Sequence, residues 1–136
     1  FHNLLPEFTA LENVLLPALI QPGSSRSDRR RLEGKAADFL SRVGLGERLS
    51  HRPGELSGGE CQRVAVVRAL IMSPELVLAD EPSGNLDARA SEQLHDIITE
   101  LAQSEKQTFM VMTHDQALAA RFDRSGYLEG GTMHLN

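Results

Sequence analysis

The chain of 136 residues has a single cysteine, Cys61, so no disulfide can close within it, which fits a reducing compartment. Basic charge is in deficit. Fourteen Lys and Arg face nineteen Asp and Glu, and the net charge of −5 argues against a nucleic-acid surface. No apolar run approaches the length of a membrane span and no signal peptide is visible, so any membrane involved is expected to come through partner chains. Also missing is a G-x-x-x-x-G-K-[ST] loop, the usual cradle for β- and γ-phosphates. What is there, 40% apolar residues over this length, suffices for one domain with a real core.

The stretch Leu76-Val77-Leu78-Ala79 runs directly into two adjacent carboxylates, Asp80 and Glu81. Four apolar residues ending this way predict a buried parallel strand that delivers its charges at the carboxyl edge of a sheet, where open α/β folds bind ligands. Side chains alternate along a strand, so the two acids should do different jobs. Asp80 suits a magnesium ion, directly or through a water, because hard cations prefer carboxylate oxygen. Glu81 would then orient or deprotonate an attacking water. A strand that merely ends in a charged turn would look the same in isolation.

Upstream, Ser57 stands three positions before Glu60, the S-x-x-E capping pattern, with a helix following from Cys61 to Met72. A plain capped helix accounts for Ser57 and Glu60 and leaves Gly58-Gly59 unexplained. Each glycine adds backbone entropy lost on folding. They make sense if a phosphate must approach the bare N–H groups of the helix start.

These residues resemble the ATP-binding-cassette (ABC) ATPases. Leu56-Ser57-Gly58-Gly59-Glu60 with Gln62-Arg63 is similar to their signature motif, Leu76 to Glu81 to their Walker B strand, Gly84-Asn85-Leu86-Asp87 to their D-loop, and His114 to their switch histidine. The four stand in family order and cover roughly the second half of the chain. Within the family, Asn3 to Val14 and Leu78 to Asp87 resemble the lipoprotein-releasing (Lol-type) group, with macrolide-export and cell-division relatives similar as well.

The resemblance implies a fold, a chemistry and an assembly. The fold is α/β, a partial P-loop NTPase layered domain with a parallel sheet core, a helical subdomain at about 9–55 that includes the signature approach, the remaining catalytic core at about 56–136, and a carboxyl-terminal β-hairpin. The chain opens at Phe1 without a methionine, near what resembles the position after the family's Q-loop glutamine. The expectation is therefore the carboxyl-terminal part of a longer ATPase, whose P-loop strand lies outside these residues, leaving an apolar sheet edge unpaired and the 136 residues inactive alone. In the intact protein, ATP would lie between the P-loop of one copy and Ser57, Gly58, Gly59 and Glu60 of a second copy. Asp80 would serve Mg2+, Glu81 the water and His114 the γ-phosphate, while Asp87 of the D-loop would couple the two sites of the homodimer. The implied partners are transmembrane permease subunits and no nucleic acid, and the place is the cytoplasmic face of the inner or plasma membrane. A non-transport ABC ATPase and a non-catalytic interaction fragment are the alternatives.

The rest of the chain reads locally. Thr9 and Glu12 form another capping pattern, opening a short helix that Pro17 interrupts and Pro22 to Ser25 ends, with Leu11, Val14, Leu15 and Leu16 as an apolar face. That face either packs within the domain or, by resemblance, partly receives a permease. Ser27 is expected to cap a helix to about Val43, with Leu32, Ala36, Phe39, Leu40 and Val43 inward and Gly44 as terminator. Arg29 to Arg31 reads as a solvated face, with a phosphate or lipid patch as the alternative. Val64, Val67, Ala69, Leu70 and Ile71 are core candidates of the following helix, Cys61 is structural, and Arg63 is the arginine best placed for a role near the signature loop. Asp87 caps a helix to about Gln103 with Leu94, Ile97, Ile98 and Leu101 inward. Thr108 to Thr113 is a second buried strand leading to His114, Asp115 caps a short helix from Gln116 to Arg121, and Tyr127 to Leu135 folds as a hairpin over Gly130-Gly131, with His134 exposed.

Overall fold

The computed structural model describes residues 3–20 and 26–135. The expected Pro22 to Ser25 helix terminator lies outside the described residues.

Three helices build the first layer. Helix α1, Ala10–Leu19, opens on the Thr9 capping box, in which the Thr9 hydroxyl accepts from the Glu12 amide and the Glu12 carboxylate accepts from the Thr9 amide. Pro17 sits inside α1 and the helix continues past it to Leu19, so the expected interruption is not there. Burial of Ala10, Asn13, Val14 and Ala18 along one stripe holds the helix where the proline removes a backbone donor. Asn13 is fully buried and secures the preceding loop: its amide nitrogen donates to the carbonyls of Leu5, Phe8 and Thr9 at 3.1, 3.0 and 3.0 Å, and its oxygen accepts from the Leu5 amide at 2.8 Å. Val14 is buried, while Leu11 and Leu15 pack half-buried against the core.

Helix α2, Arg26–Arg42, starts before Ser27, so Ser27 lies in its first turn and is not the cap. Its inward residues are those the periodicity picks, Ala36, Phe39 and Leu40, with Val43 and Leu45 completing the buried cluster just beyond. Gly44 adopts φ +76°, and the Leu45 amide turns back to donate to the Leu40 carbonyl at 2.7 Å, closing the helix as a left-handed glycine does. After two short 3-10 turns, Gly46–Arg48 and Pro53–Glu55, helix α3, Gly58–Leu70, buries Cys61, Val64, Val67 and Leu70. Ala69 is exposed instead of inward, because it lies off that 3–4 residue stripe.

Strand β1, Leu76–Asp80, pairs in parallel with β2, Thr108–Met112, through helix α4, Ala88–Ser104, as a strand–helix–strand unit with Val77 opposite Phe109. The expectation that both strands are buried is corrected. Only Val77 is buried; Leu76, Leu78, Met110 and Met112 are 47%, 65%, 50% and 51% exposed. Alternation puts Val77 and Phe109 on the face covered by helices and those four on the other, which no layer among the described residues covers. Neither strand has a further neighbour among the described residues, so the apolar edge expected from the missing strand is there. Helix α5, Gln116–Ala119, stops short of Arg121, and β3, Gly126–Glu129, meets β4, Thr132–Leu135, in the antiparallel hairpin the glycine pair signals.

Candidate functional site

Parallel pairing brings the carboxyl ends of β1 and β2 together, and with them Glu81 and His114. The Glu81 amide donates to the Met112 carbonyl at 2.8 Å, carrying the ladder one residue past β1. Glu81 itself takes φ +44°, a left-handed conformation that a residue with a Cβ avoids, of the kind found where surrounding structure overrides local preference. The conformation turns its carboxylate onto the turn at His114. One oxygen, Oε1, accepts from the His114 amide at 2.9 Å and lies 2.7 Å from His114 Nδ1; the other accepts from the Thr113 hydroxyl at 3.3 Å. The hydrogen bond from the His114 side chain holds the Glu81 carboxyl below its ordinary range, helped by the His114 amide and by Thr113, and against some burial. The same contact with Glu81 raises the His114 imidazole, aided by charge attraction from Glu81 and, more weakly, Asp115. With Nδ1 turned to the carboxylate, His114 offers Nε2 outward on a side chain 84% exposed. Asp80, the last residue of β1, is exposed and takes no part in the Glu81–His114 hydrogen bonds.

The helix start at Ser57 has its predicted cap. The Ser57 hydroxyl accepts from the Glu60 amide at 3.2 Å and the Glu60 carboxylate accepts from the Ser57 amide at 2.7 Å. That amide lowers the Glu60 carboxyl, with smaller help from the Ser57 side chain, Arg48 and Arg63. The box leaves the Gly58 and Gly59 amides, as first-turn donors, without an intrahelical acceptor. Gly59 also has a packing reason, for a Cβ there would stand 3.3 Å from the Ala90 methyl of α4. Arg63 lies beside Gly59 with its Nε buried and unpartnered.

Glu81 and the Ser57 helix start open on different clefts. One, about 340 Å³, is lined by Gln62, Arg68, Asp80, Glu81, Asn85 and Phe109 among others. The second, about 350 Å³, is lined by Ser57, Gly59, Glu60, Arg63, Asn85 and Asp87 among others. Asn85 touches both, and Asp87 caps α4 by accepting from the Ala90 amide at 2.8 Å. Within one chain, then, Ser57 and Gly59 line one cleft and Glu81 the other. No group of three His, Cys, Asp or Glu among the described residues could hold a metal alone. Magnesium held by one or two carboxylates plus substrate phosphates needs no such cage, and an exposed Asp80 at the strand end suits that mode.

Sequence reasoning missed His95. It is 2% exposed, and its Nε2 lies 2.9 Å from the hydroxyl of Ser83, itself buried. The signal was present, since His95 falls on the inward stripe of α4 beside Leu94 and Ile98. Cys61 behaves as the structural residue expected: it is buried, and burial raises its thiol.

Residues 1–84 match the family model described as ABC transporter. The lipoprotein-releasing system ATP-binding protein LolD of Shewanella oneidensis is 57% identical over 135 residues, 99% of this chain and 57% of that protein. Its counterpart in Shewanella sp. strain MR-4 is 55% identical over 139 residues, 98% of this chain and 58% of that protein. The chain thus spans under three fifths of the length of these relatives. Among solved structures, a dimeric post-hydrolysis state of the ATP-binding cassette MJ0796 bound to ADP and Pi superposes with a TM-score of 0.79 at 35% identity, covering 98% of this chain and 59% of that one.

Proposed function

The chain belongs to the ABC transporter family, and from that premise we propose that it is the signature-to-switch portion of an ATPase subunit that powers lipoprotein release through membrane permease partners. The observation that carries the reading is the Glu81–His114 contact at the joined ends of β1 and β2. The Glu81 carboxylate, with a lone pair still open on Oε2 beside the Thr113 hydroxyl, would orient an attacking water and accept its proton. An imidazole biased toward protonation by that carboxylate carries an Nε2–H that can donate to a γ-phosphate oxygen. Asp80 would hold Mg2+, which neutralises developing charge on the phosphates.

The other half of the site comes from a second copy. Ser57, Gly58 and Gly59 line a different cleft from Glu81 of their own chain, and a relative by structure is a dimer with ADP and Pi, which supports an arrangement across two subunits. Gly58 and Gly59 would present backbone N–H groups to phosphate at a helix start, with Glu60 spent on the cap that holds Ser57 in place. Asp87 and Asn85, at the turn shared by the two clefts, would link the sites. The phosphate loop would come from the additional length of the parent, and the segment at about 9–55 would form the helical subdomain that contacts the permease. The names of the relatives support lipoprotein release as the work performed. No described helix is long and apolar enough to cross a membrane, so attachment to the cytoplasmic face would run through those partners.

The test is Glu81→Gln in the full-length protein. Loss of general-base assistance should lower ATP turnover by about 10²–10⁴-fold while an ATP-bound dimer accumulates on gel filtration. Turnover equal to the unsubstituted protein would remove Glu81 from this role. Crosslinking from exposed Asn3 or Glu7 to the permease in the assembled complex tests the partner surface.

A further inference from the structure

We propose that His95 is a positioning residue that locks the Ser83–Asp87 turn to the turn carrying His114, so that the two move as one body; for its effect on turnover the proposal rests on the ATPase reading above. The His95 imidazole lies between them. Its Nε2 is 2.9 Å from Ser83 Oγ and 3.8 Å from Asp115 Oδ2. Ser83 opens the segment that ends in the Asp87 cap, and Asp115 directly follows His114. Asp115 uses its other oxygen, Oδ1, to accept from the Ala117 and Leu118 amides, which leaves Oδ2 for His95.

A purely apolar filler would suit the packing better. His95 Nδ1 is buried with no hydrogen-bond partner, and an unpaired buried polar atom is unfavourable where a phenyl ring of similar shape has none. An imidazole is explained at this position by what Nε2 does: it hydrogen-bonds the Ser83 hydroxyl at 2.9 Å and faces the Asp115 carboxylate at 3.8 Å, a close polar contact that a phenyl ring could not make. Neighbouring residues of α4 strengthen the clasp: Glu92 and Asp96 hold the Arg121 guanidinium just beyond α5. Helix α4 therefore grips the 115–121 segment at both ends, while its own N-terminus carries the Asp87 turn. The charged groups around this grip are Glu92, Asp96, Asp115 and Arg121.

The experiment compares His95→Phe and His95→Gln in the full-length protein, reading amide hydrogen exchange without nucleotide and ATP turnover. His95→Phe keeps the shape and removes the N–H; His95→Gln restores a donor. Exchange at 84–87 and at 114–118 should accelerate together about tenfold in His95→Phe, with α1 to α3 unchanged, and return toward the original rates in His95→Gln. kcat should fall about tenfold in His95→Phe at unchanged KM for ATP, because misplacing a reacting group weakens catalysis more than binding. Unchanged exchange at both turns, or acceleration spread equally over the whole chain, would overturn the coupling. A full-length protein with no ATP turnover would instead sink the functional reading and leave exchange to decide the role of His95.

Discussion

At the scale of single residues, Glu81 and His114 define each other. Glu81 is lowered and His114 raised by one contact, so the pair contributes most between the ordinary carboxylate value of 4.5 and the ordinary imidazole value of 6.5. The Glu81 contribution is lost as pH falls through its lowered folded value; the His114 contribution is lost as pH rises through its raised one. An NMR titration of His114 without nucleotide should therefore give a midpoint above 6.5, and Glu81→Gln should bring it down. A midpoint unmoved by that substitution would mean the pair does not form in solution. The two residue types and their order were legible in the sequence, since each closes a short apolar run. The left-handed φ of Glu81 was not, because no local signal marks a carboxylate that tertiary contacts force into that region.

Among elements, the helix starts were the most readable. Thr9 with Glu12, Ser57 with Glu60, and Asp87 with the Ala90 amide each span three residues, and Asp115 reaches the Ala117 and Leu118 amides, so local chemistry alone places them. Pro17 and Ser27 misled for the opposite reason, as burial of the α1 stripe outweighs one missing donor and α2 begins a residue earlier than its serine. The close approach of α3 to α4 at Gly59 yields a sharper test of the signature turn. Gly59→Ala gains about 1 kcal/mol of helix propensity and meets the Ala90 methyl at 3.3 Å, so the two effects oppose and Tm should shift little. ATP turnover in the full-length protein should nevertheless drop at least about tenfold if phosphate must reach the Gly58 and Gly59 amides. Full turnover with an unchanged Tm would say that the glycine serves packing only.

For the whole molecule, the uncovered sheet face carries the information. Leu76, Leu78, Met110 and Met112 form an apolar surface on a two-stranded sheet, and such a surface calls for a covering layer. The relatives are longer than this chain, which offers a source for that layer in the parent. Peroxide should oxidise Met110 and Met112 several-fold more slowly in the full-length protein than in the 136-residue chain, read by peptide mass spectrometry. Equal rates would mean that the face stays open in the parent and that the sheet is not completed there.

The sequence by itself determined the strand–helix–strand unit, the capped starts of α1, α3, α4 and α5, the core stripe of α2, most of that of α3, the glycine hairpin, and the family to which the acidic strand end and the capped glycine turn belong. Each depends on residues a few positions apart, where spacing and side-chain type carry the physics. Only the tertiary structure decided that Glu81 takes hydrogen bonds from His114, that His95 stands between Ser83 and Asp115, and that one face of β1 and β2 is left uncovered among the described residues. Those depend on contacts between segments far apart in the chain and on what is stacked over them, and neither is written in any local pattern.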